Sequence, residues 1–590
     1  MREFTVPALV EVPSAATITD AVFDRAARNP GQIAFRRPEG TGWRPVTIGQ
    51  FKNEVVALAK GLVAAGIQPG DRVALLSRTR YEWTLTDYAI WTAGAVTVPI
   101  YETSSVEQIT WILEDSGAVA LVAETAQHAA GAREAGAERV HVIDEGGLDE
   151  LSALGAEISD ADLETRRTSR TGADLATLIY TSGTTGRPKG CELTHANFTV
   201  LGRNAMAGEL DRVLGRAGGS TLLFLPLAHV FARLIQTLSV EAGVVIGHSP
   251  SIANLLPDLG SFKPTFLLAV PRVFEKVYNG AEQKAVAGGK GKIFAAAAAT
   301  AIEYSKAGER PGLGLKVKHA VFDRLVYGKL RDAVGGNVTH AVSGGAALGE
   351  RLGHFFNGVG ITILEGYGLT ETTAPATVNT PAALRIGTVG KPLPGVSIRI
   401  GADGEIMVKG VNVLRGYWNN EAATKEALED GWFRTGDLGS LDEDGYLKVT
   451  GRKKEILVTA GGKNVAPAPL EDRVRAHPLV SQCLVVGDSK PFIGALITLD
   501  TEALEPWQQA NGLAGKSLAE LAGDPRVRAE LDKAVATANA SVSKAEQIKK
   551  YRVLPDDFTV ENEYLTPSLK VKRHLVMRDF AADVEALYAK

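Results

Sequence analysis

The chain has 590 residues, too many for one hydrophobic core and enough for about three or four structural units. With 45% hydrophobic and 22% charged residues it reads as an ordinary soluble globular protein, and a net charge of −4 gives no electrostatic case for a nucleic-acid partner. Two cysteines, Cys191 and Cys483, and no CxxC exclude a disulfide framework and suit a reducing compartment.

The first residues, MREFTVPALVEVPSAATITD, hold no continuous apolar run of the secretory kind. No stretch of the chain approaches the roughly 18 apolar residues of a membrane span. The expectation is a cytoplasmic protein, with peripheral membrane contact and oligomeric state left open. Residues 72–76 read as a buried strand, 83–93 as a helix and 95–100 as the next strand, with further strands at 118–123 and 139–143. The polar stretch 144–171 reads as a surface connection. The strand theme returns at 175–180, 221–225, 265–269, 338–342 and 361–364, and the alanine-rich 294–299 reads as helix. After about residue 387 strands come close together, at 396–400, 404–409, 446–450 and 456–459. Then 483–486 and 493–499 flank a turn, and 524–537 reads as a helix. The expected architecture is α/β. A large N-terminal domain, 1–453, has parallel or mixed sheets covered by helices plus a β-rich subdomain; a small α+β C-terminal domain spans 454–590.

Residues 180–190 read YTSGTTGRPKG after an apolar strand. Gly183, Gly186 and Gly190 let backbone fold round an oxygen cluster, Thr181, Ser182, Thr184 and Thr185 offer hydroxyls, and Lys189 adds a mobile charge. This is not a Walker A motif, because Lys189 lies between Pro188 and Gly190. The segment closely resembles the signature of the adenylate-forming superfamily, which comprises acyl- and aryl-CoA synthetases, peptide-synthetase adenylation domains and beetle luciferases. The resemblance covers nearly the whole chain, because the remaining motifs follow in order.

Residues 365–373 read EGYGLTETT. A carboxylate beside a triphosphate is repulsive unless a cation sits between them, so Glu371 suggests Mg²⁺. The resemblance implies that Glu365, Gly366, Tyr367 and Gly368 line the nucleotide, with Tyr367 near adenine, Thr370 on the α-phosphate and Glu371 on the metal. The bland alternative is a capped helix start at Thr370. The backbone of Gly344, Gly345 and Ala346 is expected against adenine. In GWFRTGDLG, Asp437 offers two oxygens to a vicinal diol, which suits ribose. Arg452 matches an arginine reaching ribose and phosphate, Lys454 the hinge, and Gly461 the glycine beside the pantetheine tunnel. In TPSLKVKR, Lys570 matches the lysine that contacts carboxylate and α-phosphate; Leu569 stands where the usual form has Gly. In LPLAHVFAR, His229 matches a position at the acyl carboxylate, and Arg233 stands where some long-chain members carry an aromatic gate.

The resemblance implies an ATP-dependent ligase that makes a fatty acyl-adenylate with release of pyrophosphate and then acyl-CoA with release of AMP. Its cofactors would be ATP, Mg²⁺ and coenzyme A. The segment 270–345, with PRVFEKVYNG and an alanine-rich insertion, favours long-chain acids. Alternatives are a fatty-acyl-AMP ligase that loads a carrier protein, an aryl-CoA ligase, a luciferase-like monooxygenase and an inactive nucleotide-binding regulator.

Overall fold

The computed structural model describes residues 2–181, 187–215, 218–251, 254–566 and 569–589. The first sheet orders the strands Val140–Val142, Ala120–Ala123, Arg72–Leu76, Val96–Ile100 and Leu175–Thr181 in parallel, and Lys189–Thr194 closes its edge antiparallel. Both faces of this sheet are covered. Val73 and Leu75 enter one apolar cluster while Ala74 and Leu76 enter another, as a two-residue side-chain period requires. Continuous apolar runs are therefore what such strands look like in sequence.

A second sheet holds Ser220–Leu223, Val245–His248 and Ile33–Glu39 in parallel, with Gly42–Thr47 antiparallel. A third holds Phe266–Ala269, His340–Ser343 and Thr362–Leu369 in parallel, followed by antiparallel Ala374–Val378 and Lys391–Pro392. The β-rich part is an antiparallel sheet around Trp432–Leu441, which pairs with Glu405–Gly410, Leu428–Glu429 and Leu447–Arg452. Its far edge is Arg2–Val6, paired with Val396–Ile400.

The last part of the chain forms a three-stranded sheet, with Val480–Val486 antiparallel to Ile493–Leu499 and Ile548–Val553 parallel to it. Helices cover both faces: Ala468–Arg475 and Pro525–Asn539 on one, Arg573–Asp579 and Ala581–Tyr588 on the other. The α/β expectation holds, with mixed helix-covered sheets followed by a smaller α+β part.

The stretch 144–171 is not a plain connection. It forms the helices Gly147–Leu154 and Asp160–Thr168. Each buries only a thin stripe, Leu148, Leu151 and Leu163, so a mostly polar composition hides an amphipathic pattern. No long helix starts at Thr370 either; Thr370–Thr372 is a single 3₁₀ turn.

Candidate active site

Open α/β sheets carry their ligands beyond the ends of their strands. Leu175–Thr181 ends at Thr181, and Lys189–Thr194 begins at Lys189, opposite it in register. Ser182, Gly183, Thr184, Thr185 and Gly186 lie outside the described residues. The Lys189 ammonium sits 5.0 Å from the centroid of the Tyr417 ring, and the Tyr417 hydroxyl donates to Glu371 Oε1 at 3.0 Å. One tyrosine thus links the signature lysine to the expected metal carboxylate. Nothing in the motifs pointed to Tyr417; the only signal was an aromatic pair, Tyr417 and Trp418, after a glycine.

Glu371 lies in the turn Thr370–Thr372, and the chain then reverses through Thr373 and Ala374 at φ +52° and +68°. Such backbone is costly for residues with a Cβ and persists only when neighbours hold it. They do: the buried Thr373 hydroxyl donates to the Asn412 carbonyl at 2.8 Å, and the Leu414 N–H donates to the Glu371 carbonyl at 2.8 Å. Just before the turn, a Cβ at Gly368 would lie 1.8 Å from the Ala374 carbonyl oxygen, so only glycine fits.

Glu365 sits beside Ser343 across the parallel strand pair. Burial pushes its carboxyl up to about 7, although the Leu348 N–H donates to it at 2.9 Å. Past Ser343 the chain turns at Gly345, φ +86°, and Ala346 is exposed. Gly344 lies close beneath the Phe231 ring, where a Cβ would come within 3.2 Å. A Cβ on Gly345 would lie 3.9 Å from Lys570 Cε, so the C-terminal lysine lies against the glycine wall.

Asp437 is buried and pairs in register with Arg452 across an antiparallel ladder. Its Oδ1 accepts from Arg452 Nε at 2.8 Å, and its Oδ2 accepts from the Tyr367 hydroxyl at 2.7 Å. Three expected nucleotide residues therefore form one bonded group. Each carboxylate oxygen keeps a lone pair for a further donor.

Lys570 stands exposed at the cleft and makes no salt bridge among the described residues. Desolvation by the surrounding walls lowers its pKa first, the Arg452 charge adds to that, and Asp437 and Glu371 oppose it. Leu569, just before it, has φ +62°, which explains why glycine is the usual residue there.

His229 caps the helix Val230–Ala242, its Nδ1 accepting from the Phe231 N–H at 3.2 Å. Burial and the nearby Lys570 push its pKa down to about 4, so the ring is neutral at pH 7. Because Nδ1 accepts, the proton is assigned to Nε2. Arg233, one turn on, is fully buried and donates to Asp87 and to the Thr177 hydroxyl, with Trp83 and Trp91 beside it. It is locked in the interior by a charge pair, so no aromatic gate stands at this position.

Two expected residues lie apart. Lys454 is exposed in the 3₁₀ turn Lys453–Glu455. Gly461 is exposed in the turn joining Leu457–Val458 to Asn464–Val465, where a Cβ would meet only Thr459. Contacts outside the motifs also fix the last part of the chain on the rest: Arg272 donates to Asp500 at 2.8 Å, and Lys276 donates to Glu502 at 3.1 Å.

No group of three or more His, Cys, Asp or Glu among the described residues could hold a metal. An ion such as Mg²⁺ keeps several waters and takes one carboxylate plus substrate phosphates. Glu371 is such a carboxylate, with one oxygen bonded to Tyr417.

A profile described as AMP-binding enzyme matches residues 22–418, and one described as AMP-binding enzyme C-terminal domain matches 454–590. The chain is 54% identical to the long-chain-fatty-acid–CoA ligase FadD15 of Mycobacterium bovis, with 100% of each covered. It is 32% identical to the peroxisomal long chain acyl-CoA synthetase 6 of Arabidopsis thaliana, covering 94% of this chain and 83% of that one. Among solved structures, ATP-bound MatB from Rhodopseudomonas palustris matches with a TM-score of 0.71 at 23% identity, over 96% of this chain and 99% of that one. The A domain of carboxylic acid reductase from Segniliparus rugosus, in complex with AMP and a co-purified carboxylic acid, matches at 0.75 and 19%, over 98% and 95%. The structural likenesses show a shared fold; the profile and the full-length relative show descent, and the chain belongs to the AMP-binding enzyme family.

Proposed function

We propose that this chain is an ATP-dependent ligase that converts a long-chain fatty acid to its acyl-adenylate and then to acyl-CoA. In the first step a carboxylate oxygen attacks the α-phosphorus, the bond to the β-phosphate breaks and pyrophosphate leaves. In the second the CoA thiol attacks the acyl carbon, the bond to AMP breaks and AMP leaves. The first step needs alignment and charge neutralisation more than acid–base chemistry.

The residues divide that work. Asp437 holds the ribose hydroxyls, with Tyr367 and Arg452 fixing its two oxygens. Gly344, Gly345 and Ala346 present backbone to adenine together with Glu365, Gly366 and Gly368. Thr181, Ser182, Gly183, Thr184, Thr185, Gly186 and Lys189 receive the phosphates. Thr370 and Lys570 meet the α-phosphate and the attacking carboxylate, and His229, with Nε2–H free of its Nδ1 cap bond, donates to the same carboxylate. Glu371 would hold Mg²⁺, which would supply a divalent charge to offset the phosphate oxygens.

The units divide at Lys454, with 1–453 carrying the cleft and 454–590 carrying Lys570. Separate apolar cores support that division: one group runs from Ile18 to Leu447, the other from Leu457 to Leu587. Rotation about Lys454 withdraws Lys570 and brings in Gly461 for the thioester step. Among the described residues no helix is long and apolar enough to cross a membrane. Contact with a bilayer, where a fatty acid partitions, is peripheral.

The observation that carries the reading is Lys570 packed on Gly345, in a chain alike end to end with a long-chain-fatty-acid–CoA ligase. The test is ATP–pyrophosphate exchange across fatty and aromatic acids, followed by mass detection of acyl-CoA. Exchange with long-chain acids and acyl-CoA as product is expected. Exchange with aromatic acids alone, acyl transfer only to a carrier protein, or oxygen consumption would each overturn it.

A further inference from the structure

The insertion between Phe266–Ala269 and His340–Ser343 leaves one helix face without a partner. The helix Leu313–Phe322 contains no buried residue. Leu313, Val317 and Val321 recur every four residues, and so share one stripe; they are 82%, 65% and 52% exposed. Leu325 in the following turn continues the stripe at 54%. The opposite face is fixed inward. His319 stacks on Tyr304 with ring centroids 3.8 Å apart, and its Nε2 lies 2.6 Å from the Gly358 carbonyl oxygen. The apolar stripe therefore faces outward by construction.

The charges around it have one sign. Lys316 and Lys318 are exposed, one on each side of the stripe at 3.6 residues per turn. Residues 284–329 carry nine Lys or Arg against three Asp or Glu, in a chain whose net charge is −4. Of those three acids, Asp323 is already paired with Arg331 at 2.6 Å. Val286 and Ile293, in the neighbouring helices of the same insertion, add exposed apolar groups.

An apolar stripe between lysines is the build of a helix that lies in a membrane surface. Its apolar side chains enter the acyl boundary and its ammonium groups stay among anionic headgroups. A second copy of the chain is a poor occupant, because a two-fold contact would bring like-charged rims together. We propose that the face formed by Leu313, Val317, Val321 and Leu325 docks the protein peripherally on a negatively charged lipid bilayer. This gives the membrane contact of the ligase reading a place on the molecule, and it can be tested without turnover.

The test is flotation of the purified full chain with vesicles of phosphatidylglycerol and phosphatidylcholine, compared with phosphatidylcholine alone. Wild type is expected to float with the anionic vesicles and to lose binding at high salt. Val317→Gln with Val321→Gln should weaken binding about tenfold or more. Lys316→Glu with Lys318→Glu should weaken it about fivefold or more per residue. Both variants change exposed side chains only, so pyrophosphate exchange with a water-soluble shorter acid should stay at the wild-type rate. Failure of wild type to float, equal flotation of the variants, or a dimer that the Gln variant dissolves would overturn the proposal. Flotation that persists while no acid supports exchange would overturn the ligase reading and leave the docking face standing.

Discussion

Asp437 and Lys570 face the same cleft from opposite parts of the chain, and they are held differently. Asp437 is 4% exposed, sits in a paired strand and has a protein partner on each oxygen. Lys570 is exposed, follows a leucine in left-handed backbone and has no carboxylate partner among the described residues. In the proposed reading the bonded Asp437 group is rigidity set in advance, which costs nothing at the moment of reaction. In the proposed rotation the lysine is a charge that leaves. A cation bound to the α-phosphate favours adenylation but would obstruct an incoming thiol, so a removable lysine and a fixed aspartate suit two steps at one cleft.

The largest effect is expected where the two parts join. Lys454→Pro fixes φ near −65° and removes an N–H, so a pivot there is trapped in one state. Pyrophosphate exchange should survive, and acyl-CoA synthesis from preformed adenylate should fail. If both rates stay at wild type, the pivot lies elsewhere. If both collapse in a protein still folded by circular dichroism, Lys454 has a role beyond the hinge.

On the fixed side, Asp437→Ala should weaken ATP binding by about 1.5–3 kcal/mol, because a charged acceptor is lost. Unchanged affinity by calorimetry would remove Asp437 from the site. Tyr367→Phe deletes only the hydroxyl that braces Asp437 and should cost about 1 kcal/mol in the same titration. A loss as large as that of Asp437→Ala would mean that the hydroxyl itself touches the nucleotide.

The smallest effect separates strain from packing beside Lys570. Leu569 is partly buried among apolar residues of the last sheet, at φ +62°. Leu569→Ala loses the packing and keeps the strain; Leu569→Gly loses both. Glycine should therefore unfold at higher denaturant than alanine, by about 1 kcal/mol. The reverse order would mean that the backbone there is not left-handed in solution.

Legibility followed local pattern in both parts of the chain. Arg72–Leu76, Val396–Ile400 and Ile493–Leu499 could be read because each is a run of apolar or alternating residues bounded by polar ones. Arg2–Val6 could not, because it is a strand only through pairing with Val396–Ile400, far along the chain. Asp437, Tyr367 and Arg452 were legible as motif members, but not as one bonded group, since Tyr367 and Asp437 meet only when two sheets pack. Tyr417 was invisible for the same reason. The buried Arg233–Asp87 pair also escaped reading, because a lone arginine in a helix gives no sign of a fully buried partner.

The most direct test of the two-step cleft is Lys570→Ala assayed on both half-reactions in one preparation. Adenylation should fall by about 3 kcal/mol or more in transition-state stabilisation, as expected when a charge contact is removed. Transfer to CoA from supplied acyl-adenylate should continue near the wild-type rate. Equal loss in both halves would contradict a lysine that serves one step and withdraws for the other.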